Sequence, residues 1–224
     1  MAVGSSEPAA IEQVAISNGV HMRKLVLLAL AQGAALVAVG ALTAAPALAA
    51  TGGGQCQLDG TANFHPGPGA DPAAAFAYDF SGALSACNSS DAAAPVGGTI
   101  SAGQTYSVAG ISYKEPTSTG TGSCGTGDTA GTAIVAWQGG TVSVLKYTTS
   151  SAGAGVALQG TVVPNIVLTS VDGLTTTTVA TTRYLGDGAV GALAFEVTDP
   201  TQCTTSTGVT TAGIQGVTGI GSPS

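Results

Sequence analysis

The chain has 224 residues, of which 44% are hydrophobic, 4% aromatic and only 8% charged. A formal net charge of −7, with 5 Lys and Arg residues scattered along the chain, excludes a basic protein that binds nucleic acid through its phosphate backbone. The hydrophobic fraction is too high, and the charged fraction too low, for an intrinsically disordered chain.

The first predicted element is a secretory signal over residues 22–49. It opens with Met22-Arg23-Lys24, continues as an apolar stretch, and ends in Pro46-Ala47-Leu48-Ala49, whose small residues suit a signal peptidase. Cleavage after Ala49 would release a single domain, residues 50–224, to the extracellular space.

Residues 1–21 fit neither the signal nor the domain, and we interpret them as a non-native or mis-assigned N-terminal extension. A retained membrane anchor is the alternative to a cleaved signal, because the apolar stretch 25–42 approaches the roughly 20 residues that span a bilayer. Gln32 and Gly33 weaken that span, so we expect no membrane association after cleavage.

After the signal, the sequence predicts an all-β domain. No segment keeps a helical apolar period, whereas short runs rich in Val, Ile, Thr and Tyr recur between clusters of Gly, Pro, Asn, Asp and Ser. The predicted strands are 56–64, 75–87, 97–112, 131–138, 141–149, 155–169, 174–185 and 188–197, with a ninth at 208–218. Both sandwiches and barrels show this spacing, and we predict an antiparallel β-sandwich of about 8–9 strands, immunoglobulin-like or jelly-roll-like.

Two local signals refine this strand pattern. The pair Gly139-Gly140 allows the positive φ angles of a tight turn, and it predicts a hairpin between the strands on either side. Pro164 cannot donate a backbone hydrogen bond, so the predicted strand 155–169 is expected at a sheet edge or with a bulge.

All four cysteines follow the predicted cleavage site, and an even number in an exported chain predicts disulfides, here two. The four residues are Cys56, Cys87, Cys124 and Cys203. They include no C-x2-C pair, which argues against zinc. If the strands 56–64 and 75–87 form an antiparallel pair with Phe64 near Phe76, Cys56 falls near the end of the second strand, which favours Cys56–Cys87 with Cys124–Cys203. Four cysteines allow three connectivities, and the others stay open at this point.

Catalysis by histidine would have to use His65, since it is the only histidine after the predicted cleavage site. A serine hydrolase would need His65 as the base and an acid such as Asp71 or Asp79 to orient it. The chain lacks a G-x-S-x-G nucleophile motif, and the proline- and glycine-rich segment around His65 is typical of a solvated loop. Hydrolysis by His65 or by a pair of carboxylates is therefore an alternative function.

The aspartates lie mostly in predicted turns, such as Asp59-Gly60, Asp172-Gly173 and Asp187-Gly188, where a carboxylate accepts backbone hydrogen bonds. None of these turns extends into a calcium-binding loop, and His and free Cys do not cluster as a redox metal requires. We predict no metal and no cofactor, and we assign no catalytic residue.

A binding surface on such a chain would use the few aromatic and cationic side chains that are not buried in the β core. The candidates for an exposed binding surface are His65, Tyr113, Trp137, Arg183 and Tyr184. Arg183 and Tyr184 could form a pair of cation and ring.

The segments Cys56-Gln57-Leu58-Asp59-Gly60, Phe80–Cys87 and Gly208–Ile214, together with the end of the signal, resemble small exported proteins of actinobacteria. The resemblance covers most of residues 50–224 and implies export and a β fold. It carries no catalytic motif and implies no activity.

These observations favour a secreted, non-catalytic β module that binds an extracellular or cell-surface component, either a protein or a polysaccharide. A secreted hydrolase is one alternative. A self-assembling envelope or coat component is another, since the low charge and the Gly- and Thr-rich strands favour self-association.

Overall fold

The computed structural model describes residues 51–222. The predicted extension and the predicted signal with its cleavage site lie outside these residues. Ala50, the first residue of the predicted domain, lies outside them as well. Thirteen strands and one 3-10 helix make up the described part of the chain. The strands are β1 (Thr51–His65), β2 (Ala75–Ser89), β3 (Gly98–Ala102), β4 (Thr105–Val108), β5 (Ile111–Lys114), β6 (Ser118–Gly122), β7 (Thr126–Trp137), β8 (Val142–Ala152), β9 (Gly155–Val163), β10 (Asn165–Ser170), β11 (Thr176–Ala180), β12 (Gly188–Glu196) and β13 (Thr211–Ser222), and the 3-10 helix is Pro200–Thr204.

Most of these strands form one antiparallel sheet that closes into an eight-stranded barrel. Around the barrel the order is β1, β2, β3, β7, β8, β9, β12 and β13, and β13 pairs with β1 again. The predicted all-β fold is therefore confirmed, and the predicted sandwich is not, because the sheet closes as a barrel. Because β1 has a partner on both sides, the sheet closes on itself, and no second sheet is needed to cover its apolar face.

One position in the barrel wall is shared by two short strands, β3 and β6. In β2, the segment Phe80–Leu84 pairs with β3, and the segment Ala75–Tyr78 pairs with β6. We call the barrel end where β1 begins and β13 ends the upper end, and the opposite end the lower end. β3 thus belongs to the upper half of the wall and β6 to the lower half.

The barrel interior is filled by aromatic and aliphatic side chains. Glycines in the wall make room for the rings. Gly60 and Gly82 pair across β1 and β2, and a Cβ built on either glycine would approach the ring of Phe80 to about 3 Å. The barrel can hold the Phe80 ring at this position because Gly60 and Gly82 have no side chains.

A second, four-stranded sheet in the order β11-β10-β5-β4 covers the outside of β7 and β8. Ile134 of β7 and Val144 of β8 point outward and pack against Tyr113, Leu168 and Val179 of this outer sheet. The fold therefore has two apolar cores, one inside the barrel and one between the barrel and the outer sheet.

Two predicted strands are each divided between the barrel and the outer sheet. The predicted strand 97–112 contains β3, β4 and part of β5. The predicted strand 155–169 is broken at Pro164, where the chain leaves β9 and enters β10. Pro164 thus marks a change of sheet rather than an edge or a bulge, and its carbonyl accepts a hydrogen bond from the amide of Thr181.

The predicted hairpin between β7 and β8 is confirmed, with Gly139 and Gly140 at φ angles of 96° and 85°. The two predicted disulfides are confirmed as well. Cys56–Cys87 joins β1 to β2 near the upper end. Cys124–Cys203 joins the connection between β6 and β7 to the 3-10 helix at the lower end. No helix in residues 51–222 is long and apolar enough to cross a membrane.

Candidate functional site

An open groove of about 1010 Å³ crosses the outside of the lower half of the barrel. It begins at His65, where β1 ends, and runs over β2, β6, β7 and β8 to β9. With neighbouring strands about 4.8 Å apart, six strands give the groove a length of roughly 24 Å. We call this feature the outer groove.

Two cross-strand rows of small side chains line the outer groove. The first row is Ala77, Thr119, Ala130, Thr148 and Gln159, in register across five strands. The second row is Ala75, Thr121, Asp128, Ser150 and Ala157. Both rows therefore carry methyl and hydroxyl groups, which alternate from Ala77 to Thr148 in the first row. The lining residues include one carboxylate, Asp128, and no lysine or arginine.

At one end of the outer groove, His65 contacts the carboxylate of Asp79. The distance from His65 Nε2 to Asp79 Oδ2 is 3.3 Å, and the His65 side chain is 68% exposed. The other carboxylate oxygen, Oδ1, accepts hydrogen bonds from Asn63 Nδ2 at 2.8 Å and from Gln104 Nε2 at 2.5 Å. Asp79 is thus fixed by two amides on one side and faces His65 on the other.

This polar network continues to Glu115, a carboxylate that is 5% exposed between the barrel and the outer sheet. Its oxygens accept hydrogen bonds from Ser101 Oγ at 2.6 Å and from the backbone amide of Gln104 at 3.1 Å. Burial raises the pKa of the Glu115 carboxyl above its ordinary value near 4.5, although both hydrogen bonds act in the opposite direction. Gln104 therefore connects the buried carboxylate to the exposed pair of His65 and Asp79.

Inside the barrel, five hydroxyl groups form a continuous chain of hydrogen bonds. The links are Ser118 to Tyr147 at 3.0 Å, Tyr147 to Tyr78 at 2.7 Å, Tyr78 to Thr129 at 3.0 Å and Thr129 to Thr149 at 2.7 Å. Burial raises the pKa of both tyrosine hydroxyls, so both keep their protons at neutral pH. We call this set the hydroxyl chain.

The residues that the sequence predicts for an exposed binding surface do not lie together in the structure. His65 is exposed and lies in the outer groove. Arg183 and Tyr184 are half-buried near the upper end, where the Arg183 guanidinium carbon lies 4.8 Å from the centre of the Tyr184 ring. Arg183 also forms a salt bridge of 3.0 Å with Asp91.

The expected exposure of Tyr113 and Trp137 is wrong, since their exposed fractions are 5% and 8%. Tyr113 belongs to β5 of the outer sheet and faces the barrel, where it packs against Ile134 and Val144. Trp137 points into the barrel, its ring contacts Tyr184, and its indole Nε1 donates to Ser143 Oγ at 2.9 Å. The structure therefore keeps only His65 of the five candidates as a freely exposed side chain.

Sequence reasoning missed the threonines and serines of the outer groove. Their signal is present as alternation: Thr119 and Thr121 are separated by one residue in β6, and Thr148 and Ser150 by one residue in β8. Such alternation predicts an exposed polar face. It does not predict that several such faces line one concave surface.

Within residues 51–222, no group of three or more His, Cys, Asp or Glu side chains is placed to hold a metal ion. No protein-family model, curated protein or solved structure matches the chain. Its function is therefore inferred from the geometry and chemistry of the outer groove and its surroundings.

Proposed function

We propose that the protein is an exported, non-catalytic binding module whose outer groove holds an extended, uncharged polysaccharide. The observation that carries this proposal is the pair of cross-strand rows in the groove. Sugar rings present hydroxyl groups at their edges and C–H groups on their faces. Rows that carry both hydroxyl and methyl groups match both.

Charge supports a neutral polymer over the other extended ligands. The lining residues include one carboxylate, Asp128, and no lysine or arginine, and the chain as a whole has a formal net charge of −7. An anionic polymer would therefore meet neither a lysine nor an arginine in the groove. The length of the groove, roughly 24 Å across six strands, favours an extended ligand over a small compact one.

Co-sedimentation with a panel of insoluble polysaccharides tests the proposal. The disulfide-intact protein is expected to pellet with at least one neutral polysaccharide. Thr148→Arg places a long charged side chain in the middle of the groove and is expected to leave the protein in the supernatant. Thr178→Arg is the matched control, because it adds the same charge at an exposed position of β11 in the outer sheet.

Equal pelleting of the Thr148→Arg and Thr178→Arg variants would place the binding surface elsewhere and contradict the proposal. A series of protein concentrations without polysaccharide tests the self-assembly alternative in the same experiment. The barrel has no free edge, so self-association through strand pairing would have to use β4 or β11, the edge strands of the outer sheet.

A second candidate function, hydrolysis, is favoured by the arrangement of His65 and Asp79. If His65 Nε2 donates to Asp79, Nδ1 is left to take a proton from a water molecule at the end of the groove. In ester hydrolysis the oxygen of that water would bond to the acyl carbon while the ester C–O bond breaks. The proton held by His65 would then pass to the departing alcohol.

Release of acetate from acetylated polysaccharides and from chromogenic acetyl esters tests this second function. If His65 is the general base, His65→Gln should lower the rate by roughly 100-fold or more. Asp128→Asn, in the same groove but distant in the register from His65, should leave the rate unchanged. Absence of hydrolysis by the unmodified protein would leave the binding proposal alone.

A further inference from the structure

The barrel interior contains a cavity of about 80 Å³ that is separate in character from the outer groove. Its walls are apolar and come from strands on all sides of the barrel, among them Leu58, Phe80, Leu145, Val156 and Ile214. Four members of the hydroxyl chain also line it. The members are Tyr78, Thr129, Tyr147 and Thr149.

The hydroxyl chain has one proton more than it can use internally. Its five hydroxyl groups carry five protons and are joined by four hydrogen bonds, each of which uses one proton. Whatever the direction of the individual bonds, one O–H group is left to donate outside the chain. Ser118, Tyr78 and Tyr147 are buried, whereas Thr129 and Thr149 are half-buried and also line the outer groove. Because a buried donor without an acceptor is costly, an O–H group that points into the cavity favours an occupant that brings an acceptor.

The cavity volume limits the size of that molecule. Eighty cubic ångströms corresponds to the liquid volume of about two to three waters, and it is about half of the roughly 150 Å³ cavity that takes up benzene. Water is a poor occupant of most of this space, because each buried water needs two to four polar partners and the walls away from the hydroxyl chain are apolar.

We infer that the cavity binds a small, mainly apolar molecule of about three or four non-hydrogen atoms with one oxygen acceptor, the chemical class of short ketones, aldehydes and alcohols. The carbon atoms contact the apolar walls, and the oxygen accepts the remaining O–H of the hydroxyl chain. The inference does not rest on polysaccharide binding in the outer groove, although Thr129 and Thr149 line both spaces.

Acetone and xenon are the probes for this site, because they are of similar size and only acetone carries an acceptor. Binding of each is followed through the methyl resonances of Leu58 and Val156 in the disulfide-intact full chain. Both probes are expected to enter and to displace each other. The carbonyl stretching band of bound acetone is expected below its position in an apolar solvent, as hydrogen bonding requires.

A matched pair of substitutions on β7 locates the site. Ala133 points into the barrel and lines the cavity, and Ala130 points outward into the groove. Ala133→Val fills part of the cavity and should lower the affinity for both probes about tenfold or more, whereas Ala130→Val should leave both affinities unchanged. If Ala133→Val does not fold, mutual displacement of the two probes in the unmodified protein still tests for one shared cavity.

Three results would overturn the inference. In the first, neither probe shifts the interior methyl resonances, which means that the space is closed or holds only water. In the second, acetone enters but its carbonyl band stays at the apolar-solvent position, which means that the hydroxyl chain does not bind it. In the third, both probes bind the Ala133→Val variant as well as they bind the unmodified protein.

Discussion

The hydroxyl oxygens of Tyr78 and Tyr147 lie 2.7 Å apart inside the barrel, although their strands, β2 and β8, do not pair with each other. The bond therefore crosses the interior and connects opposite parts of the wall directly. Tyr147 also bonds Ser118 of β6, whose side chain is fully buried. Three strands are thus held by two tyrosine hydroxyls.

Tyr147→Phe is expected to lower the free energy of unfolding by about 1–3 kcal/mol, because it leaves the buried Ser118 hydroxyl without its partner. Urea denaturation with both disulfides intact measures this change. Tyr106→Phe is the control, since Tyr106 is half-buried in the edge strand β4 and lies outside the hydroxyl chain, and it should change the stability by less than about 0.5 kcal/mol. Equal effects of the two substitutions would show that the hydroxyl chain adds no stability.

Glu115 predicts a pH dependence of stability with a definite sign. Burial raises the pKa of its carboxyl in the folded state above the ordinary value near 4.5, so the folded state binds this proton more tightly than the unfolded state. The contribution of Glu115 is fully present below pH 4.5 and is lost as the pH rises through the folded-state pKa. Glu115→Gln should remove this decrease.

Denaturation curves between pH 4 and 8 for the unmodified protein and for Glu115→Gln test this expectation. The glutamine can accept from the Gln104 amide through its oxygen and donate to Ser101 through its nitrogen, so the fold should be kept. The difference in stability between the two proteins should move in favour of Glu115→Gln as the pH rises. A difference that is constant with pH would contradict the prediction.

Gly60→Ala is expected to destabilise the barrel by about 1–3 kcal/mol through overpacking. A Cβ at Gly60 would lie 2.5 Å from the backbone oxygen of Ser81 and 2.8 Å from the Phe80 ring. Gly213→Ala is the matched control in β13, where the nearest atom to an added Cβ is 3.5 Å away and contact is ordinary. Thermal unfolding of both variants measures the two losses of stability. A larger loss of stability in Gly213→Ala than in Gly60→Ala would refute the packing argument.

The two disulfides are expected to differ in their effect on stability. In the chain-entropy model, Cys124–Cys203, with a sequence separation of 79, contributes about 4.5 kcal/mol, and Cys56–Cys87, with a separation of 31, about 3.7 kcal/mol. Paired Cys→Ser substitutions and urea denaturation compare them. A larger loss on removal of Cys56–Cys87 would show that loop length does not determine their contributions.

The pairing of Cys56 with Cys87 could be predicted because it depends on one hairpin. The prediction places Phe64 near Phe76, and in the structure Phe64 pairs with Tyr78 while the rings of Phe64 and Phe76 lie 5.6 Å apart. The bulge between Gln55 and Gln57 shifts the register by one residue and places Cys56 beside Cys87. The prediction that Cys56 falls near the end of the second strand is therefore confirmed.

Barrel closure could not be predicted in the same way. Inward and outward residues alternate identically in the strands of a sandwich and of a barrel, and the difference lies in whether β13 returns to β1. The burial of Tyr113 could not be predicted for a related reason, because it depends on the outer sheet packing over β7 and β8. The burial of Trp137 could have been predicted from the sequence, since Trp137 alternates in phase with the buried Ala133 and Val135 of the same strand.

The concavity of the outer groove also lies beyond local patterns. Thr119 and Thr148 each occur in an alternating strand, but their common row exists only because β6, β7 and β8 pair in one register. His65 and Asp79 meet because Asn63 pairs with Asp79 in β1 and β2. The sequence shows which residue types these positions carry, but it does not show which residues lie beside them on the neighbouring strands.

The pairing of Thr51 with Ser222 places the first and last described residues side by side at the upper end of the barrel. His65 and the outer groove belong to the lower half. A carrier, tether or solid support joined through either of these strand ends would stand on the side away from the groove. The two strand ends and the outer groove thus occupy opposite halves of the barrel.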